Sequence, residues 1–174
     1  MQEIKNEIKY KEIEFNEKSN VLNLMDCVIN NLKRPEFYYM GNKEKELERM
    51  FDKSYVYNLG AYYKEKLVGM TQLYVDQEDL ENYINISNLK DYNVCELGTA
   101  LVLEKFRNNG IMQNLIKLQK DKAKSLNFEY MIATAHPENI PSNIALTKSG
   151  FCLKKQIMIN NNKYCRNLYQ MKLN

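Results

Sequence analysis

Residues Leu103 to Leu118 read LEKFRNNGIMQNLIKL, and the reading of this stretch decides the fold. Ahead of it, Thr99 to Leu103 is apolar and β-compatible. Arg107-Asn108-Asn109-Gly110 is turn chemistry, and Ile111, Leu115 and Leu118 recur at helical spacing. A strand therefore turns through a short polar loop into an amphipathic helix. The first turn of such a helix presents unpaired backbone N–H groups that point one way, so an anion placed there is held by several donors and by the positive end of the helix dipole. Gly110 lets the backbone come close and Arg107 adds a full charge, which makes the stretch a candidate pyrophosphate cradle. No Gly-Lys-Ser/Thr follows the glycine and the three glycines of a dinucleotide fingerprint are missing, so neither of those phosphate loops is present. An ordinary strand, turn and helix with a basic surface turn fits the same residues.

The chain of 174 residues is long enough for one domain with a core and too short for two comfortable ones, so a single domain over residues 1–174 is expected. Its 44% hydrophobic and 27% charged residues are ordinary globular values. A net charge of +3 is too small to argue for nucleic acid. Lys117, Lys120, Lys122 and Lys124 cluster on one helix, but without the aromatics or arginines of a nucleic-acid surface they read as a solvated face. Cys27, Cys95, Cys152 and Cys165 form no C-x-x-C pair and the chain has one histidine, so no metal site is expected and the thiols read as reduced. The opening MQEIKNEIKY has no apolar core of signal-peptide length, and no run of about 18 apolar residues occurs anywhere. A soluble, cytoplasmic protein with no membrane partner is expected, monomeric or homodimeric.

Outward from the loop, the other elements follow in order. Ile8 to Phe15 alternates as a first strand. A helix capped by Ser19 or Asn20 runs to about Leu32, with Val21, Leu24, Met25, Val28 and Ile29 on one stripe and Pro35 ending it. Phe37, Tyr38 and Tyr39 form an aromatic cluster before Gly41, which lines a pocket or packs helices onto the sheet. A second helix runs from Asn42 to about Asp52. Tyr55–Tyr63 and Leu67–Val75 read as a hairpin around Lys64-Glu65-Lys66. Asp76 to Asn93 is too long for a plain connection and reads as a mobile loop or a short helix near the site mouth. Val94–Leu103 is the central strand, its helix continues to about Ser125, and Phe128–Ala135 is a strand buried on both faces. After His136-Pro137-Glu138-Asn139, a helix starts at Pro141-Ser142 and closes at Ser149-Gly150. Phe151–Ile159 and Lys163–Leu173 form a terminal hairpin around Asn160-Asn161-Asn162.

Two segments together resemble the GNAT superfamily of acyl-CoA-dependent N-acetyltransferases. Val102-x-x-x-x-Arg107-x-x-Gly110-x-Met112 is similar to the family's pantetheine strand and pyrophosphate loop. Asn139-x-x-Ser142 followed by Lys148-Ser149-Gly150-Phe151 is similar to its Asn-x-x-Ala/Ser helix ending in Gly-Phe. The resemblance implies an α/β (α+β, three-layer) fold with a mixed, mostly antiparallel sheet flanked by helices. It implies acetyl-CoA as acyl donor and an amine as acceptor. Backbone groups of Ala100, Leu101, Val102 and Leu103 would bond the pantetheine arm as an added strand, and Arg107, Asn108, Asn109, Gly110, Ile111, Met112 and Gln113 would hold the pyrophosphate. Asn139 and Ser142 would hydrogen-bond the coenzyme's amides. Met112 stands where the family usually has Gly or Ala, and Leu146 where many members carry a tyrosine that protonates the departing thiolate. Tyr130, Tyr74 and Cys152 are the alternative donors.

The resemblance also implies a base on the central strand, where Glu96 lies; a solvent-facing carboxylate paired with a lysine is the plain alternative. Glu96 as base predicts a rate profile that rises through an acidic limb. His136, at a strand end by the expected cleft, has a pKa suited to a second candidate base, although a histidine before proline more often serves a turn. The activity implied is acetyl transfer to a primary amine, of a small molecule first and of a protein second. A coenzyme-binding sensor without turnover is the competing class, favoured by Leu146.

Overall fold

The computed structural model describes residues 6–40, 42–161 and 163–173. Residues 1–5 of the opening segment, Gly41 after the aromatic cluster and Asn162 of the turn triplet lie outside the described residues. Seven strands and five helices are present among the described residues: β1 (Ile8–Glu12), α1 (Lys18–Ile29), α2 (Lys43–Arg49), β2 (Val56–Tyr63), β3 (Lys66–Tyr74), α3 (Gln77–Ile86), β4 (Val94–Val102), α4 (Ile111–Ser125), β5 (Tyr130–Ala135), α5 (Ile140–Lys148), β6 (Cys152–Ile159) and β7 (Tyr164–Lys172).

The strands form one sheet in the order β1-β2-β3-β4-β5-β7-β6. Only β4 and β5 are parallel, because the α4 crossover joins them; every other neighbour is antiparallel. Leu73, Cys95, Leu97, Met131 and Ala133 face α4 and α5, packing on Ile116, Ala123, Ala145 and Leu146. The opposite face carries Val94, Ile132 and Leu168 against Leu80 and Ile84 of α3. The result is the expected three-layer, mixed and mostly antiparallel α/β architecture. Val21, Leu24, Met25 and Val28 are the buried stripe of α1.

Two local expectations change, and one open between two options is decided. The first strand stops at Glu12 rather than Phe15, because the Glu17 carboxylate accepts the Glu14 N–H at 3.3 Å and curls Phe15–Glu17 into a 3-10 turn. Helix α1 consequently starts at Lys18 with no side-chain cap from Ser19 or Asn20. The Asp76–Asn93 insertion is the short helix of the two options: Asp76 caps α3 by accepting the Glu78 N–H at 3.1 Å, and buried Leu80 and Ile84 fasten it to the sheet. It covers one face of β4.

Candidate active site

Two irregularities in β4 build the site. The β4–β5 pairing runs from Val94↔Tyr130 to Leu97↔Ala133 and stops there, so the two strands part while β5 stays paired to β7 through Ala135↔Asn167. On its other edge, Met70 of β3 opposes Leu101 and Gln72 opposes Gly98, which puts one extra residue into β4. That bulge holds Thr99 at φ +40°, a β-branched residue in left-handed backbone space that costs about 1–3 kcal/mol. Side-chain alternation is reset across it. Glu96 and Gly98 face the α1–α3 layer before the bulge, as their partners Tyr74 and Gln72 do, and Leu101 regains that face after it.

The parting opens a continuous cleft of about 1930 Å³ that passes through the sheet. On the α4–α5 side its walls are Gly110, Ile111, Met112, Gln113 and Ile116 of α4 and Asn139, Ser142, Ala145 and Leu146 of α5. On the other side lie Phe37, Tyr38 and Tyr39, Glu46 of α2, Tyr74, Tyr83 of α3 and Glu96. The aromatic cluster therefore lines the cleft, while Tyr38 also packs on the core behind it.

The anion loop is shaped by two left-handed residues, Asn108 at φ +63° and Gly110 at φ +74°, the latter at the N-cap of α4. At Gly110 any Cβ is strained. The N–H groups of Ile111, Met112 and Gln113 have no intrahelical acceptors and open on the cleft. Arg107 is exposed and lines the cleft, with Nε donating to Val102 O at 3.2 Å. Leu101, Val102 and Asn108 also line the cleft, whereas Leu103 and Asn109 do not. The Leu103 N–H donates to Val68 O at 2.9 Å. Asn109 is 8% exposed and its amide donates to the carbonyls of Phe106 and Arg107, both at 3.1 Å, so it holds the loop from within. Met112 is half-buried against both flanking core clusters.

On α5, Asn139 Oδ1 caps the helix by accepting the Ser142 N–H at 3.4 Å. The more connected residue is Asn143, which sequence reasoning passed over: its amide donates to the His136, Pro137 and Asn139 carbonyls, and its Oδ1 accepts Tyr169 Oη at 2.6 Å and Asn167 Nδ2 at 2.9 Å. Leu146 is 6% exposed and part of the α4–α5 core. Of the alternative thiolate donors, Tyr74 alone lines the cleft; Tyr130 stacks on Tyr92, and Cys152 is exposed on β6.

Glu96 is not a solvent-facing carboxylate paired with a lysine. Protein surrounds its carboxyl, which solvent meets only through the cleft, and burial, helped by the nearby charge of Glu46, pushes its pKa up to about 8. The acidic limb expected from an ordinary carboxylate moves with it. Glu46 accepts Tyr55 Oη at 2.7 Å, and Tyr74 Oη lies 3.0 Å from Gln72 Oε1 and 3.3 Å from Thr99 Oγ1. Tyr38 Oη is buried and has no hydrogen-bond partner among the described residues, and burial pushes its pKa up to about 12. Glu46 was legible only as one charge of a Glu/Lys-rich helix; nothing in its spacing marks it.

His136 is not brought to this constellation. It does not line the cleft; its Nδ1 accepts the Glu138 N–H at 3.2 Å and its ring leans on Phe37 at 5.2 Å. Burial and then Arg166 and Arg34 depress its pKa. This is the geometry of a turn residue. Among the described residues no group of three or more His, Cys, Asp or Glu gathers to hold a metal ion, and no helix is long and apolar enough to cross a membrane.

The sheet parts beside its parallel β4–β5 pair and the N-terminus of α4 lines the gap, the arrangement expected from the family resemblance. The profile of the Acetyltransferase (GNAT) family matches residues 26–151, and the chain belongs to that family. Solved structures agree on the fold. An acetyltransferase of the GNAT family from Streptococcus pneumoniae superposes with a TM-score of 0.72 at 15% identity, over 97% of this chain and 100% of that one. Arabidopsis thaliana NAA60 in complex with acetyl-CoA superposes at 0.71 and 13% identity, over 95% and 98%. The ribosomal-protein-S18-alanine N-acetyltransferase of Escherichia coli superposes at 0.68 and 8% identity, over 95% and 94%. Comparison with curated proteins returns no match.

Proposed function

We propose that the protein transfers the acetyl group of acetyl-CoA to a primary amine of a small molecule. The observation that carries the reading is the continuous cleft through the parted sheet, with the N-terminal turn of α4 at one end and the desolvated Glu96 carboxyl on the other side of the sheet. The donor complex of the NAA60 neighbour supports acetyl-CoA as the co-substrate.

In this reading the N–H groups of Ile111, Met112 and Gln113 with Arg107 hold the pyrophosphate, and the unpaired edge of β4 from Gly98 to Val102 bonds the pantetheine arm. The thioester then lies at the parting of β4 and β5, next to the bulge. The amine must shed a proton to expose its lone pair, and Glu96 accepts it. The nitrogen attacks the thioester carbonyl, the C–N bond forms, and backbone N–H groups freed by the bulge at Thr99 hold the oxyanion. The C–S bond breaks and the thiolate leaves without a tyrosine at Leu146, and the second proton of the attacking nitrogen, released as the amide forms, passes to the departing sulfur. A free thiol has a pKa of about 8.5, so departure without an acid costs little near neutral pH.

A small acceptor is favoured by the α1–α2 segment. Arg34 pairs with Glu138 and the Glu36 carbonyl accepts Arg166 Nη2 at 2.9 Å, which ties this segment to the turn after β5 and to β7 beside the cleft. Screening amines for acetyl-CoA-dependent thiol release tests the reading. A folded protein that binds acetyl-CoA but releases thiol in the presence of none of the amines would instead favour the sensor reading that Leu146 raises.

A further inference from the structure

Arg166 on β7 is a charged group of the acceptor half that the transfer chemistry leaves unused. It lines the cleft yet is 3% exposed. Its Nη1 donates to Cys165 O and its Nη2 to Glu36 O, both at 2.9 Å and both neutral acceptors. The rings of Tyr39 and Tyr164 flank it, with centroids 6.0 and 5.6 Å from the guanidinium carbon. A guanidinium carries five N–H donors, so two bonds leave three unused, and among the described residues no carboxylate pairs with it. Burial lowers its pKa. An arginine is seldom buried unless it is paired.

Lys33 and Lys148 also line the cleft but are exposed, and three cations around it are paired with carboxylates. Lys45 pairs with Asp79 at 2.5 Å, Arg49 with Asp76 at 2.9 Å, and Arg34 with Glu36 and Glu138. Strand register gives Arg166 its direction. Glu96 pairs with Ile132, and Thr134 pairs with Leu168. Ile132 and Leu168 share the core under α3, so Arg166, two residues from Leu168, faces the same side as Glu96. It stands level with the residue after Ala135, two strands from β4. At about 4.8 Å per strand and about 3.3 Å per residue, the two Cα atoms are about 16 Å apart, a gap that a glutamate and an arginine reaching inward reduce to the span of a small molecule.

Resting on the acyl-transfer reading above, we propose that Arg166 receives a carboxylate of the acceptor, so that the substrate is an amino acid whose amine is presented to Glu96. A carboxylate matches the planar fork of the guanidinium and leaves its single charge neutralised. A dianionic phosphate would set two charges against the single charge of this guanidinium in a cleft that also holds Glu46 and Glu96, and the observations favour the monoanion.

The test measures kcat/KM by thiol release for each standard L-amino acid, its C-terminal amide and its decarboxylated amine, in the wild type, Arg166→Met and Arg166→Lys. Acetyl-CoA calorimetry checks that each variant is folded. For at least one side chain the wild type should prefer the free acid over its amide by tenfold or more. This preference would run against the lower basicity of the amide's amine, which favours the amide. In Arg166→Met the acid-to-amide ratio should collapse by tenfold or more, and Arg166→Lys should keep part of it. Because the ratio is compared between proteins, amine basicity cancels. A wild-type ratio at or below one for every side chain overturns the proposal without any variant, as does an unaltered ratio in folded Arg166→Met. Acetylation of carboxylate-free amines only would sink the role of Arg166 and leave acetyl transfer standing. No turnover of any amine by a protein that binds acetyl-CoA would remove both.

Discussion

Replacing Glu96 by Gln keeps the shape of the side chain and removes the proton acceptor. With a pKa of about 8 in the folded protein, this carboxyl is about one-tenth ionised at pH 7, so the wild-type kcat/KM should climb through pH 7 and level off above pH 8. The Gln variant should lose this limb and about 10²-fold or more of the rate, with acetyl-CoA affinity nearly intact. Deprotonation of the amine acceptor overlaps the same range, so a second readout is needed that involves no amine, and stability provides it. The folded pKa lies above the unfolded value of 4.5, so the native state binds the extra proton. Stability from this group is complete below pH 4.5 and is lost as pH rises toward 8. The interval, at about 1.4 kcal/mol per pH unit, bounds the loss at about 5 kcal/mol. Half of that bound would move Tm by about 5 to 10 °C for a chain of this size. Thermal melts of wild type and Glu96→Gln between pH 5 and 9 should therefore diverge, with the variant gaining on the wild type as pH rises. Parallel melting curves would refute the burial argument, and near wild-type turnover in the Gln variant would clear Glu96 of the base role.

At the anion loop, Gly110→Val adds a side chain at a left-handed residue where the pyrophosphate must approach, and Arg107→Ala removes a charge-assisted contact worth about 1.5 to 3 kcal/mol. Both should weaken acetyl-CoA binding by tenfold or more in calorimetry; unchanged affinity in folded Gly110→Val would take the cradle away from this loop. Leu146→Tyr should raise kcat modestly by supplying an acid to the thiolate, at about 1–3 kcal/mol of stability for overpacking a buried site; no gain in a folded variant would place the slow step elsewhere. His136→Gln should keep kcat within a few-fold, because the imidazole serves the turn at Glu138 and not the cleft; a loss above about 10²-fold, the scale of a missing general base, would return it to the chemistry.

The strand-to-helix turn at Arg107–Gly110, the buried stripe of α1 and the hairpin at Asn160-Asn161 could be read from residue order. Each depends on interactions within a few positions: a helical or two-residue period, a glycine or asparagine in left-handed space, a capping side chain. The family motif is equally local, because an anion held by one helix N-terminus needs only the residues of one loop. Cleft membership is not local. Asn109 and Gln113 sit in the same short motif, but only the fold turns the first inward and the second to the cleft. His136 and Glu96 looked alike as titratable groups of strands bordering the expected cleft, and their difference comes from what packs around them: a turn N–H and Phe37 for one, and a desolvated part of the cleft near Glu46 for the other. Glu46, Arg166 and Asn143 were silent in the sequence for the same reason. Desolvation and charge coupling are sums over everything nearby in space, and strands that neighbour each other in this sheet, such as β5 and β7, come from distant parts of the chain.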